Sequence, residues 1–326
     1  MSRRTSITRK ATGPNVVALG GGHGLAATLR ALRRVTDQIT AVVGVADDGG
    51  SSGRLREEFG VLPPGDLRMA LAALCGDDTW GRTWSDVIQH RFGGDGDLGG
   101  HSIGNMLITA LWEETHDIVI GLDWLGALLE AQGRVLPCST VPLEIVADVS
   151  GLDPSNPEHI AIVRGQVAVA TTEGTVERIG LEPLDPPACA EAVAAILAAD
   201  VVVLGPGSWF TSVLPHLLIP ELVDAIVASS AYKVLVMNLD PQRDQETAGV
   251  PVRAQLEMLA ALEPRLHLDA VIVDPRHVGD ADGLHEACGS AQLHLAGVGH
   301  THPSRAGTHD PDRLAVAFST VFESFT

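Results

Sequence analysis

The sequence predicts an α/β fold: a doubly wound, mostly parallel, Rossmann-like sheet with a small antiparallel β insertion. Two stretches of the chain share the order of a short apolar strand, a glycine-rich loop and an apolar helix, the βα unit of such folds. The first begins at Asn15 and the second at Asp200. Between them, short β-type runs separated by Pro, Gly, Asn and Asp fill residues 134–180, which indicates an antiparallel insertion. We therefore expect a single domain over residues 14–326 after a disordered basic tail at residues 1–13.

The first βα unit places a glycine-rich loop before an Ala/Leu-rich helix that runs to about Arg34. A helix N-terminus can receive a phosphate, because its first N–H groups lack partners within the helix. The candidate phosphate ligands are Gly20, Gly21, Gly22, His23 and Gly24. Gly20, Gly22 and Gly24 are spaced two apart, so the G-x-G-x-x-G dinucleotide pattern is not met cleanly. A simple tight turn, with a solvated His23, is the alternative.

A dense polar loop follows the second apolar strand, residues 39–46. Its candidate ligand residues are Asp47, Asp48, Gly49, Gly50, Ser51 and Ser52. Serine hydroxyls and backbone N–H groups can hold phosphate oxygens, whereas two carboxylates repel a bare phosphate. Asp47 and Asp48 therefore suggest a bound sugar or ribose hydroxyl, or a magnesium ion that bridges to the phosphate. Arg54, Arg56 and Arg68 supply positive charge near this loop in the sequence. The alternative is that the loop is only a turn followed by a helix cap.

Two further polar turns precede predicted helices. Asp66, after Gly65, should cap a helix that begins at Leu67. The glycine-rich residues 93–100 predict a flexible loop, a candidate lid. In the turn after it, Ser102 should cap a helix, and His101 and Asn105 are candidates to face a ligand. A plain capping turn is the alternative for this segment.

The second βα unit supplies another glycine and hydroxyl loop. Gly205, Gly207, Ser208 and Thr211 follow a buried strand, so they form a second candidate phosphate cradle. The next strand ends at Asn238, and the polar loop 242–249 contains Glu246. Both side chains are candidate ligand contacts.

The insertion and its flanks carry no catalytic pattern. We predict strands over residues 135–138, 143–149, 160–163, 166–170 and 176–179, and a helix over 122–132. The first of these strands is assigned to the antiparallel insertion.

Composition excludes several classes of partner. The 326 residues include 41 acidic and 22 basic side chains, a formal net charge of -19, which argues against nucleic acid and against an anionic membrane surface. No run approaches the roughly 18 apolar residues of a membrane span. The four cysteines form no C-x-x-C pair, as expected of reduced thiols. We expect a cytoplasmic protein whose partner is a small anionic molecule.

Taken together, the loops resemble the CofD-like superfamily, and most of all its gluconeogenesis-factor (YvcK-like) branch. The resembling residues are Gly20–Gly24, Ala46–Arg54, Pro64–Arg68, Gly100–Asn105, Gly205–Ser208, Thr211, Ser212, Asn238, Glu246, Thr247 and His309–Pro311. They occur in family order from about residue 15 to about residue 322.

The resemblance implies a nucleotide pocket at the strand ends of a doubly wound fold, often in a homo-oligomer. It implies binding of UDP-sugars such as UDP-N-acetylglucosamine, with no cofactor required and no settled catalytic activity. The branch acts in control of cell shape and envelope precursors on gluconeogenic carbon sources. Its sister branch is the magnesium-dependent 2-phospho-L-lactate transferase of deazaflavin coenzyme biosynthesis.

Two details separate this chain from its relatives. The transferase branch typically carries Asn-Thr-Gly-Asp-Asp, whereas this chain reads Gly44-Val-Ala-Asp-Asp48, which favours the gluconeogenesis factor. The gluconeogenesis branch usually has Pro-Gly shortly before the position of Glu246, whereas residues 242–245 of this chain are Gln-Arg-Asp-Gln. The branch also has an aromatic residue shortly after that position, where this chain has Val250. Three hypotheses remain: a nucleotide-sugar sensor, a magnesium-dependent transferase and a plain NAD-binding protein.

Overall fold

The computed structural model describes residues 13–239, 245–247, 250–279, 281–302, 305 and 307–325. Ten strands and twelve α-helices are formed by these residues. The strands are β1 (Val16–Gly20), β2 (Ile39–Val43), β3 (Arg134–Pro137), β4 (Glu144–Ser150), β5 (Ala161–Arg164), β6 (Thr175–Glu182), β7 (Val201–Leu204), β8 (Tyr232–Val236), β9 (Ala270–Val273) and β10 (Gln292–Leu295).

The helices that follow the amino-terminal strands are α1 (Gly22–Leu32), α2 (Gly50–Phe59), α3 (Gly65–Leu74), α4 (Thr79–Gln89), α5 (Ile103–Thr115) and α6 (Ile118–Leu128). The later helices are α7 (Gln166–Ala170), α8 (Ala190–Leu197), α9 (Pro220–Ala228), α10 (Val252–Leu262), α11 (Ala281–Cys288) and α12 (Pro311–Phe325). Short helices of other types are a π-helix, Trp209–Val213, and 3₁₀ turns at Leu214–Leu218, Gln245–Thr247 and Pro275–His277.

Seven strands form one parallel sheet in the order β10-β9-β8-β7-β1-β2-β3, with helices on both faces. Its central strands are fully buried runs of Val, Ile, Leu and Ala, as expected for a sheet covered on both sides. Strands β4, β5 and β6 form a separate antiparallel sheet in the order β5-β4-β6. The predicted fold class is thereby confirmed.

The order of the strands reverses at β1. The chain moves from β1 to β2 and β3 on one side, and β7 then pairs with β1 on the other side. In open α/β sheets, such a reversal leaves a crevice beyond the carboxyl ends of the two strands, and ligands bind there.

Two predicted strands are corrected by the structure. Residues 134–137 form β3, which pairs in parallel with β2 at the edge of the main sheet rather than in the insertion. Residues 166–170, predicted as a strand, form helix α7. The left-handed φ of +90° at Gly165 turns the chain out of β5. The Asp48 carboxylate, from the loop after β2, accepts a hydrogen bond from Val167 N and caps the helix.

Three helices begin elsewhere than predicted. Helix α3 begins at Gly65 with Pro64 as its N-cap, so Asp66 lies in its first turn and does not cap it. The Asp117 carboxylate accepts a hydrogen bond from Ile120 N, so α6 begins four residues before the predicted helix and ends at Leu128. Helix α2 begins at Gly50, inside the segment predicted as a polar loop. The predicted basic tail lies outside the described residues except for Gly13.

Within the described part of the chain, no single helix is long and apolar enough to cross a membrane. One pair of helical segments, Trp209–Leu218 and Pro220–Ala228, meets the length and composition criteria jointly, with a bend of 79°.

Candidate functional site

The two predicted glycine loops meet at the reversal between β1 and β7. A Cβ atom on Gly24 would lie 2.1 Å from the backbone oxygen of Pro206, so only glycine allows this contact. Gly205 has a φ of +70° and lies close to the backbone oxygen of Val236. The sequence motifs thus fix how closely the loops after β1 and β7 approach each other.

A cleft of about 900 Å³ opens beside these loops. Its walls are helix α1, the loop after β7, the end of β8 and the segment that precedes α12. Its lining residues are His23, Gly24, Ala27, Arg30, Ala170, Pro206, Gly207, Ser208, Asn238, Leu239, Glu246, His300, Arg305, Gly307, Thr308, His309 and Pro311. Its volume and its place at the strand ends are those of a small-molecule site.

Positive charge in the cleft comes from Arg30 and Arg305. Neither side chain forms an ion pair or hydrogen bond with the described residues, although the chain carries a net charge of -19. Burial and the neighbouring Arg33 and Arg34 lower the pKa of Arg30. Electrostatic repulsion among these cations would fall if an anion entered the cleft.

The buried histidine of the cleft adds no charge near neutral pH. Burial lowers the pKa of His309 to about 4, and its Nε2 lies 3.2 Å from the backbone oxygen of Met237. His300 Nδ1 lies 3.1 Å from Asp310 Oδ2. The two arginines are therefore the cations that an anionic ligand would meet.

Asn238 and Glu246 both line the cleft, but they bind the loop after β7. Asn238 Oδ1 accepts from Gly207 N at 3.0 Å, and Asn238 Nδ2 donates to Gly207 O at 2.8 Å. Glu246 Oε2 accepts from the N–H groups of Phe210 at 2.7 Å and Thr211 at 3.3 Å. The Thr211 hydroxyl donates to Glu246 Oε1. An internal carboxylate thus fills the predicted cradle at Thr211, while Gly207 and Ser208 face the cleft.

A second group of predicted site residues contacts the α1 N-terminus through Asp66 and lies outside the cleft. We call it the closed polar cluster: Asp47, Ser51, Ser52, Asp66, Arg68, His101 and Asn105. None of the seven lines the cleft. Five of them are less than 10% exposed: Ser52 and the four side chains of Ser51, Arg68, His101 and Asn105.

Hydrogen bonds join those four buried side chains into one chain. Arg68 Nε donates to Asn105 Oδ1 at 2.8 Å, and Asn105 Nδ2 donates to Ser51 Oγ at 3.1 Å. Ser51 Oγ lies 3.1 Å from His101 Nδ1. Burial lowers the pKa of Arg68 to about 10 and also lowers the pKa of His101. Each of these groups already has a partner inside the protein.

Asp66 occupies the position at the α1 N-terminus where a phosphate was expected. Its carboxylate accepts a hydrogen bond from the Gly22 backbone, and a Cβ atom on Gly21 would lie 2.5 Å from Asp66 Oδ2. Burial, reinforced by Asp47, raises the pKa of Asp66 to about 7 against the opposing effects of Gly22 N–H and Arg68. This carboxyl group is therefore partly protonated near neutral pH.

Asp47 and Asp48 are engaged by backbone groups as well. Asp47 Oδ1 accepts from Gly49 N at 2.9 Å, and Asp48 Oδ1 accepts from Val167 N at 3.0 Å, which caps α7. A Cβ atom on Gly165 would lie 2.2 Å from the second oxygen of Asp48. A Cβ atom on Gly65 would likewise lie 2.8 Å from Asp47 Oδ2.

These contacts do not suit the predicted magnesium site. One oxygen of each carboxylate accepts a backbone N–H, and the other packs against a glycine. Within the described ranges, no group of three or more His, Cys, Asp or Glu side chains is arranged to hold a metal ion. We derive no step through magnesium.

Ser102 and three arginines nearby form hydrogen bonds with backbone groups. Ser102 Oγ accepts from Asn105 N at 3.2 Å, which confirms the predicted cap of α5. Arg54 donates to Gly99 O at 2.8 Å and Arg91 donates to Gly100 O at 2.9 Å, so two guanidinium groups hold the end of the glycine-rich loop 93–100. Arg56 donates to Leu143 O at 2.7 Å.

Sequence reasoning missed the two arginines of the cleft. The signal for Arg30 was present, because His23, Ala27 and Arg30 follow the i, i+4, i+7 spacing of one helix face. Arg305 lies in an irregular segment, where no periodicity indicates which way a side chain points.

Similar proteins confirm the family suggested by these loops. Residues 16–292 match the family model described as 2-phospho-L-lactate transferase CofD. A protein of Mycobacterium tuberculosis named "Putative gluconeogenesis factor" is 52% identical over 308 residues, which cover 94% of this chain and 90% of that protein. The "Gluconeogenesis factor" of Listeria monocytogenes is 41% identical over 231 residues, which cover 71% of this chain and 68% of that protein.

A solved structure shares the whole fold. A member of the UPF0052 family from Bacillus halodurans superposes with a TM-score of 0.82 at 31% identity, covering 94% of this chain and 99% of that chain. The chain therefore belongs to the CofD family, in the branch whose members are named gluconeogenesis factors.

Proposed function

We propose that the cleft binds a nucleotide sugar of the UDP-N-acetylglucosamine type and that the protein is a cytoplasmic regulator that responds to this ligand. One observation carries the proposal: two arginines without partners among the described residues line a cleft of about 900 Å³ at the strand reversal of a strongly acidic chain. A diphosphate is the part of a nucleotide sugar that such arginines bind best. The regulated process would be cell shape and envelope control on gluconeogenic carbon sources.

The internal hydrogen bonds favour a sensor over a catalyst. Glu246 and His309, the acidic and buried basic side chains of the cleft, bind backbone groups, and the pKa of His309 lies far below neutral pH. A general base must reach the proton that it removes, with a pKa near the working pH. Neither group meets both conditions.

The experiment is a calorimetric titration of UDP-N-acetylglucosamine against three proteins: the wild type, the double variant Arg30→Gln/Arg305→Gln and the control Arg178→Gln. Arg178 pairs with Asp148 on the small sheet and does not line the cleft. We expect the double variant to lose at least about tenfold in affinity, as charge-assisted hydrogen bonds predict. Unchanged affinity would remove the arginines from the site.

A second candidate is the transferase, which the name of the matching family model favours. It is distinguished by adding a chelator or magnesium to the same titration. We expect the same affinity under both conditions and no product. A strict requirement for magnesium, with transfer to a deazaflavin acceptor, would replace the sensor by the transferase. A preference for NAD over uridine nucleotides would replace it by the NAD-binding hypothesis.

The oligomeric state stays a prediction. Light scattering in the presence and absence of the nucleotide sugar would determine it.

A further inference from the structure

The cleft offers a nucleotide base few rings on which to stack, because its described lining contains three histidines and no larger aromatic side chain. Among the described residues that line it, none is Phe, Tyr or Trp. The sequence of residues 233–317 likewise contains no Phe, Tyr or Trp. Trp209 and Phe210 follow Ser208 directly, but they are only 2% and 5% exposed and belong to the core. Among the described residues, stacking on a Phe, Tyr or Trp ring therefore has no partner. The imidazole rings of His300 and His309 already lie against Asp310 and the backbone oxygen of Met237, which leaves His23.

The groups that could read the edge of a base are also engaged. Asn and Glu side chains discriminate bases by presenting free donors and acceptors to the base edge. In this cleft the Asn238 amide binds both backbone groups of Gly207, and Glu246 binds Phe210 and Thr211. A base could recruit them only by breaking the contacts that shape the loop after β7.

The groups that could bind a phosphate, in contrast, have no hydrogen-bond or ion-pair partner for their side chains among the described residues. Arg30 on α1, Arg305 before α12 and Ser208 in the loop after β7 all line the cleft. The pKa of Arg30 is lowered by burial and by two neighbouring arginines, so its charge is poorly compensated in the ligand-free protein. The recognition capacity of the cleft is therefore concentrated on an anion.

We infer that the cleft recognises the sugar-linked diphosphate of its ligand and discriminates little between bases. The ligand class is nucleoside diphosphate sugars in general rather than uridine nucleotides alone. This inference rests on the proposed function and narrows it to one part of the ligand.

The test compares ligands that differ in one part at a time. UDP-glucose, ADP-glucose and GDP-glucose share a sugar and a diphosphate but differ in the base. UMP and uridine keep the base but lack the diphosphate. Each is titrated against the wild-type chain without magnesium, at a fixed ionic strength.

We expect the three glucose nucleotides to bind within about tenfold of each other, a spread of about 1.4 kcal/mol. UMP and uridine should bind at least about a hundredfold more weakly, because uridine offers the two arginines no phosphate and UMP offers them one where the nucleotide sugars offer two. The double variant Arg30→Gln/Arg305→Gln should weaken all three glucose nucleotides by the same factor, whereas Arg178→Gln should change none of them.

The inference and the proposed function fail in different ways. A preference for UDP-glucose of more than about tenfold over both ADP-glucose and GDP-glucose would overturn the inference and leave the proposed function intact. Equally tight binding of UMP would also overturn it. If none of the nucleotide sugars binds, the proposed function itself fails.

Discussion

The open cleft and the closed polar cluster both adjoin the first residues of α1, and they differ in how their polar groups are satisfied. In the cluster, Arg68, Asn105, Ser51 and His101 bind one another and are less than 10% exposed. In the cleft, Arg30 has no partner among the described residues. Buried polar groups that are fully paired rigidify a fold, whereas an unpaired cation near solvent can bind a ligand. We therefore assign stability to the cluster and affinity to the cleft.

The largest expected effect tests the structural role of the cluster. Asn105→Ala leaves the buried Arg68 guanidinium without its acceptor and removes one of the two partners of the Ser51 hydroxyl. We expect the free energy of unfolding to fall by about 3 kcal/mol, the range for breaking a buried charged network. Urea denaturation measures it, with the exposed Asn156→Ala as the matched control. If this variant loses nucleotide-sugar affinity strongly while its stability is unchanged, the cluster is part of the binding site and not a structural element.

The next effect depends on pH. The pKa of Asp66 is raised from 3.8 to about 7, so the folded state favours the protonated acid. The folded state therefore holds more protons than the unfolded state between these values, and Asp66 lowers the stability as the pH rises from about 4 to about 7.

Asp66→Asn removes this titration and keeps an oxygen that can accept from Gly22 N–H. We expect the stability difference, variant minus wild type, to grow by about 1–3 kcal/mol between pH 5 and pH 8. Thermal unfolding at several pH values measures it, and the exposed Asp282→Asn serves as the control. A difference that is independent of pH would contradict the raised pKa.

A smaller effect concerns the cleft alone. Ser208→Ala removes a hydroxyl from the lining of the cleft, and we expect nucleotide-sugar affinity to fall by about 1–2 kcal/mol with unchanged stability. The control is Ser155→Ala, in an exposed turn of the insertion. If affinity is unchanged, the loop after β7 does not contact the ligand.

The smallest effect tests whether Asp48 caps α7 or binds a ligand. Asp48→Ala should lower stability by about 1 kcal/mol, the usual value of a helix N-cap. Asp48→Asn should restore most of it, because an asparagine oxygen also accepts from Val167 N. If neither variant changes stability but both abolish ligand binding, Asp48 belongs to the binding site instead.

The fold was largely readable from the sequence because apolar runs of a fixed length mark buried parallel strands. Failures occurred where a tertiary contact overrides the local pattern. The β-branched Gln166–Ala170 segment forms a helix because Asp48, more than a hundred residues away, caps it. Residues 134–137 look like any short strand, and only their pairing with β2 places them in the main sheet.

The site was harder to predict for a similar reason. The sequence shows that Asp47, Asp66 and Glu246 belong to glycine- or hydroxyl-rich loops, but it does not show whether a carboxylate faces a ligand or the backbone. Here each of them accepts a backbone N–H group. The helix spacing of His23, Ala27 and Arg30 indicated which face of α1 lines the cleft. The glycine motif indicates only the N-terminus of α1, as a phosphate site, and does not indicate this face.

The central claim is that a ligand occupies the open cleft and leaves the closed polar cluster unchanged. Hydrogen–deuterium exchange with and without saturating UDP-N-acetylglucosamine tests it most directly. We predict slower exchange in peptides that contain His23, Ser208 and Thr308, with no change in those that contain Ser51 or Asn105. Protection confined to the peptides of Ser51 and Asn105 would contradict the account and move the binding site into the cluster.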